Sequence, residues 1–374
     1  MRKIICAILA AAMLIVPVGA SDFGVPSCIL VEASTGKVLY EYAPDEKLPP
    51  ASVTKIMTLL LVMEAIDDGR LRWDEMVQTS EYAASMGGSQ VFLEPGEEMS
   101  VSEMVKCVVV SSANDAAVAL AEKIAGTEEN FVAKMNERAA ELGMTNTTFR
   151  NTNGLDDTDE GHLTTARDIA IMSRELIVNH PKILEFSSIW MDTIRNGAFG
   201  LTNTNRLIRF YRGANGLKTG STSKAKFCIS ATAERDGMEL IAVIMAAETR
   251  DVRNEAAKKL LDYGFANWEC VKLTAEPCEI GVLGGIEDSV PVECGDGSVV
   301  VTKGSRAKIE RVVELPEKIS APVEAGEEIG RVRFYLDGEE IGNIALTAGK
   351  SVKKIGFIGL FGRFLEKLTL AGMK

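Results

Sequence analysis

The chain has 374 residues, 46% of them hydrophobic and 25% charged, which suits two domains and at least one large core. A net charge of −12 argues against nucleic acid as a partner. Beyond Cys6, the cysteines Cys28, Cys107, Cys228, Cys270, Cys278 and Cys294 are irregularly spaced, with no CxxC and no metal-binding pattern.

The first residues carry Arg2 and Lys3 before an apolar run from Ile4 to Pro17, then Val18-Gly19-Ala20. This is the shape of a secretory signal peptide, 1–20, cleaved after Ala20. An uncleaved anchor is the alternative, although the run is short for a membrane span. Residues 28–42 predict two strands around a Thr35-Gly36 turn. An apolar helix follows from about Val53 to Ile66, and helical patterns dominate to about residue 190. Strand signals return at 214–247, where KFCISATAE and MELIAVIMAA predict a hairpin around Asp236-Gly237. The helix VRNEAAKKLLDYGFANW closes this unit near residue 268. Strands, then helices, then strands predict a mainly antiparallel sheet covered by helices, an α+β domain over 21–268.

Residues 269–352 differ. Short alternating runs with turns at Gly284-Gly285, Asp296-Gly297 and Asp337-Gly338 predict a small all-β sandwich. In the tail, 353–374, Phe357, Leu360, Phe361, Phe364, Leu365 and Leu368 follow helical spacing, opposite Arg363, Glu366 and Lys367. That pattern predicts an amphipathic helix lying in a membrane surface, or else packed on its own protein. Cys107 and Cys228 sit among apolar residues and read as buried free thiols. For Cys270, Cys278 and Cys294 the sequence assigns no pairing.

The chemistry concentrates in PPASVTKIMT, 49–58. Ser52 and Lys55 are three apart, so one helical turn brings hydroxyl and amine together. A serine becomes a strong nucleophile when an adjacent base takes its proton. Lysine serves as that base when neutral, and burial and a second cation both favour the neutral form. The plain alternatives are an N-cap for Ser52 and a snorkelling side chain for Lys55. The histidines are His162, before a helix, and His180, at a helix end, and nothing local places either beside a serine. Two further short motifs follow in order: Ser112-Ala113-Asn114 between two helices, and Lys218-Thr219-Gly220 on a predicted strand. Each alone reads equally as a cap or a strand end. Together, SxxK, SxN and KTG form the trio of penicillin-binding proteins and related β-lactamases.

The chain resembles the serine D-Ala-D-Ala carboxypeptidases, low-molecular-mass penicillin-binding proteins of the DD-peptidase family. PASVTKIMT, SSANDAAVALAE, FRNTNGLDD, HLTTARDIA, LTNTNRL and GLKTGST match family blocks in family order, over roughly residues 24–268. The resemblance implies a penicillin-recognising, β-lactamase-like fold and an exported enzyme at the outer face of the cytoplasmic membrane. Its substrate would be a peptidoglycan stem peptide ending in D-Ala-D-Ala, its inhibitors β-lactams, with no metal or other cofactor. Ser52 would be the nucleophile, Lys55 its base, and Ser112 a proton relay. Asn114 would hold the substrate amide, while Lys218 and Thr219 would meet the substrate carboxylate. The N–H groups of Ser52 and Ser221 would form an oxyanion hole. Gly220 would leave room for substrate along the strand edge. Arg250 and Arg253 are both candidates for a second carboxylate-binding cation, and the family pattern favours Arg253. The chain departs from the family pattern at Ser221, where some members carry His, and at Ala113, where Gly is commoner. A β-lactamase, with Glu160 as a conceivable water activator, and a non-catalytic wall-binding protein are the competing readings.

Overall fold

The computed structural model describes residues 23–155, 160–276, 278–362 and Leu365. The expected leader, 1–20, and residues 363, 364 and 366–374 of the expected tail lie outside the described residues. The chain divides into two compact units.

The first unit is built on a five-stranded sheet. Its strand order is Val38–Tyr42, Ser27–Glu32, Met238–Ala247, Lys226–Arg235, Ala214–Thr222. The expected Asp236-Gly237 hairpin is present. Both residues adopt the left-handed conformation, with φ of 52° and 75°, that a two-residue turn between twisted strands needs. The strand carrying Lys218 comes last in this order, and it pairs antiparallel with its neighbour in the register Lys218↔Ser230, Thr219↔Ile229, Gly220↔Cys228.

The helical block lies between the first and second groups of strands, as the sequence pattern implies. The helix Lys55–Asp67 has Ile56, Met57, Leu59, Leu60, Val62, Met63 and Ala65 all buried. A helix apolar on nearly every face is a core helix, not a surface one. That is why Lys55, on its first turn, is fully enclosed. Val101–Val110 and Asn114–Ala125 bury most of their residues too, and the second motif spans the break between them, with Ser112 and Ala113 in the break and Asn114 opening the next helix. Cys107 and Cys228 are buried and free, and burial pushes their thiols up to about 12 and about 11. Cys270, Cys278 and Cys294 are free as well.

The second unit is β-rich. Trp268–Leu273 pairs with Gly297–Thr302, and six further strands form a sheet whose central members are Glu328–Leu336, Glu339–Ala348, Ser289–Cys294 and Cys278–Leu283. Val271, Leu273, Val299 and Val301 from the strand pair share one core with Ile280, Val292, Val332, Phe334, Ile344 and Leu346 from the larger sheet. Two sheets closing on one apolar layer make the expected sandwich. Among the described residues no helix is long and apolar enough to cross a membrane.

Candidate active site

Pro49 and Pro50 lead into a short 3-10 turn, Ala51–Thr54, which passes directly into the Lys55 helix. Ala51 is held at φ 48°, an uncommon conformation for a residue with a Cβ, and such strain persists where its surroundings enforce it. Here they do. Gly154, at φ 84°, lies so close that a Cβ on it would fall 1.8 Å from the Ala51 carbonyl oxygen. Neither helical segment has a side-chain cap, so Ser52 does not serve as an N-cap. Its hydroxyl instead lies 3.0 Å from Lys55 Nζ.

Lys55 does not snorkel. Its side chain is fully buried, and Nζ has two other partners, Asn114 Oδ1 at 2.5 Å and the Asn153 carbonyl at 2.8 Å. Burial drives its pKa well below 10.5, the nearby Lys218 charge lowers it further, and Asp115 opposes them. A neutral amine has two hydrogens and one lone pair. In that form Asn114 Oδ1 and the Asn153 carbonyl would take the hydrogens, and the lone pair would face Ser52 Oγ. Asn114 is itself fixed, because its Nδ2 donates to the Gly87 carbonyl at 2.6 Å. In this arrangement both ends of Asn114 are engaged within the protein.

Ser112 sits at φ 61°, a second strained position, and its Oγ accepts from Lys218 Nζ at 2.9 Å. Ala113, where the family prefers Gly, is buried in an ordinary conformation with φ −60°. Lys218 is 1% exposed and also donates to the Thr219 carbonyl at 2.8 Å. Burial, then the charge of Arg253, lower its pKa from 10.5 to about 7. Arg253 is 3% exposed, so it is not a solvated charge at a helix start. Burial and the neighbouring Arg250 lower its pKa to about 10, which leaves it cationic at neutral pH. Its guanidinium donates to Asn254 Oδ1 and the Cys228 carbonyl.

Packing also calls for a glycine at 220. A Cβ there would lie 2.8 Å from the Pro50 carbonyl oxygen and 2.9 Å from the backbone nitrogens of Ser52 and Val53. The missing side chain lets the Lys218 strand press against the turn that carries Ser52. Ser221, next along, is exposed. Both histidines are occupied elsewhere. Thr54 Oγ1 donates to the Ala51 carbonyl, so it accepts from His162 Nε2, while His162 Nδ1 accepts from the Arg150 N–H. His180 pairs with Asp67 at the far end of the helix.

These residues open onto a cleft of about 640 Å³. Ser52, Ser112, Thr219, Gly220, Ser221, Arg250 and Arg253 line it. Sequence reasoning did not single out Ser89, Trp190, Arg206 or Phe210, which also line it. The block LTNTNRL was a signal for part of this wall, since Thr202, Asn203, Thr204 and Arg206 belong to it. Glu160 is exposed and is not among the residues lining the cleft.

Residues 17–249 match the family model described as D-alanyl-D-alanine carboxypeptidase, and 274–354 match that of the penicillin-binding protein 5 C-terminal domain. The chain is 43% identical over 351 residues to D-alanyl-D-alanine carboxypeptidase DacF of Bacillus subtilis, covering 92% of this chain and 90% of that protein. Its structure resembles penicillin binding protein 5 from Haemophilus influenzae with a TM-score of 0.74 at 33% identity, covering 88% and 98% of the two chains. It also resembles penicillin-binding protein D2 from Listeria monocytogenes in its ampicillin-bound form, with a TM-score of 0.59 at 34% identity, over 64% of this chain and 97% of that one. The chain belongs to the D-alanyl-D-alanine carboxypeptidase family.

The depressed pKa of Lys218 has a thermodynamic consequence. Between about pH 7 and 10.5 the unfolded chain holds a proton at this site that the folded chain has released. Stability from this site therefore rises with pH across that window and is lost as pH falls towards 7. Lys218→Met removes the dependence. Thermal denaturation at a series of pH values is expected to show the parent gaining stability relative to Lys218→Met as pH rises. A difference independent of pH contradicts the assignment.

Proposed function

We propose that this chain is an exported D-alanyl-D-alanine carboxypeptidase that trims the terminal D-alanine from peptidoglycan stem peptides through an acyl-enzyme on Ser52. The observation that carries the reading is the enclosed Lys55 amine, 3.0 Å from Ser52 Oγ and held by Asn114 Oδ1 and the Asn153 carbonyl. Ser52 Oγ attacks the carbonyl carbon between the two D-alanines as Lys55 takes its proton. The oxyanion forms beside the N–H groups of Ser52 and Ser221. The close approach of Gly220 to Ser52 N supports that pairing. The C–N bond then breaks and D-alanine leaves with a proton delivered through Ser112, whose hydroxyl is in contact with Lys218 Nζ. Water attacks the ester, and Ser52 recovers its proton as the shortened peptide departs.

An exopeptidase reads a free carboxylate. Arg253 is a buried cation on the cleft wall, with Arg250 and Thr219 beside the same space. Burial of a guanidinium with no carboxylate partner is costly, and a substrate carboxylate offsets that cost on binding. A β-lactam presents a strained amide to the same serine, so Ser52 is the site of its acylation. The domain reading is a leader over 1–20, a catalytic domain over 21–268, a β domain over 269–352 and a membrane-surface helix over 353–374. The exposed Phe357, Ile358, Leu360 and Phe361 support the last of these. The enzyme then works outside the cytoplasmic membrane, held at its surface by the tail.

Ser52→Ala is expected to abolish D-alanine release from a D-Ala-D-Ala peptide and to abolish the penicillin mass adduct, with an unchanged circular dichroism spectrum. Release at the parent rate by the folded variant removes Ser52 from its role. Arg253→Met is expected to lower kcat/KM for that peptide by about 100-fold, in line with loss of a buried charge-assisted pair. The same peptide with an amidated C-terminus should be a poor substrate for parent and variant alike. Equal losses on the free acid and the amide would contradict carboxylate recognition by Arg253.

A further inference from the structure

Glu128 opens the helix Glu128–Glu141 and lies outside every motif in the trio. Its Oε1 accepts from Thr152 twice, from the backbone N–H at 2.9 Å and from Oγ1 at 2.7 Å. Its Oε2 accepts from the Tyr82 hydroxyl at 2.6 Å. Thr152 is also held from the other side, because its carbonyl accepts from Thr58 Oγ1 at 2.6 Å. Thr58 follows Lys55 on the same helix. The next carbonyl along is that of Asn153, which accepts one of the Lys55 hydrogens. The turn beyond is braced internally, with Asn151 Oδ1 accepting from the Gly154 N–H and Asn153 Oδ1 from the Leu155 N–H. A shift at Thr152 therefore moves the Asn153 carbonyl with it. Tyr82 stands at the start of the segment that reaches Gly87, whose carbonyl holds Asn114 in place.

We infer that Glu128 is a positioning residue for the reaction: through Thr152 and Tyr82 it fixes both acceptors of the Lys55 hydrogens, and so aims the lone pair at Ser52 Oγ. This rests on Lys55 acting as the base. The other charged residues around the same groove are Glu122, Glu129 and Arg150. Lys218 and Asp115 are the charges that act on Lys55. A carboxylate clamping one peptide unit transmits geometry to the amine without touching substrate. Misplacement on the order of 1 Å costs roughly 100-fold in a reaction that depends on aligned orbitals.

The test is the second-order rate of Ser52 acylation by penicillin, measured against pH on the full chain. Glu128→Ala is expected to acylate about tenfold to a hundredfold more slowly than the parent. Glu128→Gln, whose amide oxygen still accepts from Thr152, is expected to retain most of the rate. Loosening the Asn153 carbonyl withdraws support from the ammonium form of Lys55, so the acid limb of the Glu128→Ala profile moves to lower pH. A purely structural role would lower thermal stability and leave that limb in place. Parent-like acylation by Glu128→Ala, an equal loss in Glu128→Gln, or an unmoved acid limb each overturns the inference. If Glu128→Ala does not fold, Thr152→Val removes only the hydroxyl contact and is expected to show a smaller loss with the same shift. A Thr152→Val profile identical to the parent's overturns it too. A parent that forms no adduct on Ser52 overturns this inference and the functional reading together, whereas a normally acylating parent with unaffected variants overturns this inference alone.

Discussion

An amine with two hydrogens and one lone pair has a single direction left once two carbonyl oxygens have taken the hydrogens. The role proposed for Lys55 depends on that constraint. Asn114 Oδ1 and the Asn153 carbonyl accept from Lys55, and Ser52 Oγ occupies the remaining direction. The surrounding architecture serves to hold these groups still. The Lys55 helix is apolar on nearly every face and excludes water from the amine. Gly154 and Gly220 allow two other segments to approach the Ser52 turn closely enough to lock it. Strained backbone at Ala51 and Ser112 marks where the fold yields ideal geometry to keep chemical groups in register.

Electrostatics complete the arrangement. In a chain of net charge −12, three basic side chains, Lys55, Lys218 and Arg253, are buried near enough to act on one another in turn. Arg253 lowers the pKa of Lys218, and Lys218 lowers that of Lys55. The three groups are therefore graded, from Arg253, cationic at neutral pH, through Lys218 at about 7, to Lys55, held well below 10.5. Such burial is unfavourable for folding, and its retention follows the general opposition between stability and activity at catalytic sites.

Much of this was legible in the sequence because it is local. The turn between Ser52 and Lys55, the Asp236-Gly237 hairpin and the alternation of the β domain all follow from short-range spacing. The trio of motifs gave the residues but not their partners. The reason Gly220 lacks a side chain came from contact with Pro50, Ser52 and Val53, far away in the chain. Asn153 contributes through its carbonyl, which every residue possesses, so side-chain chemistry carries no signal for it. Trp190 and Phe210 are ordinary aromatics until the fold brings them to the cleft. The occupation of His162 by Thr54 and Arg150 likewise depends on packing that periodicity does not encode.

The protonation state of one amine decides the account. With lysine labelled at the ε-carbon and the Lys55 resonance identified by its loss in Lys55→Met, carbon NMR follows that amine through a pH titration of the folded protein. The structure predicts a midpoint well below the ordinary 10.5. A midpoint near 10.5, in protein that still acylates with penicillin, would mean that another group draws the proton from Ser52.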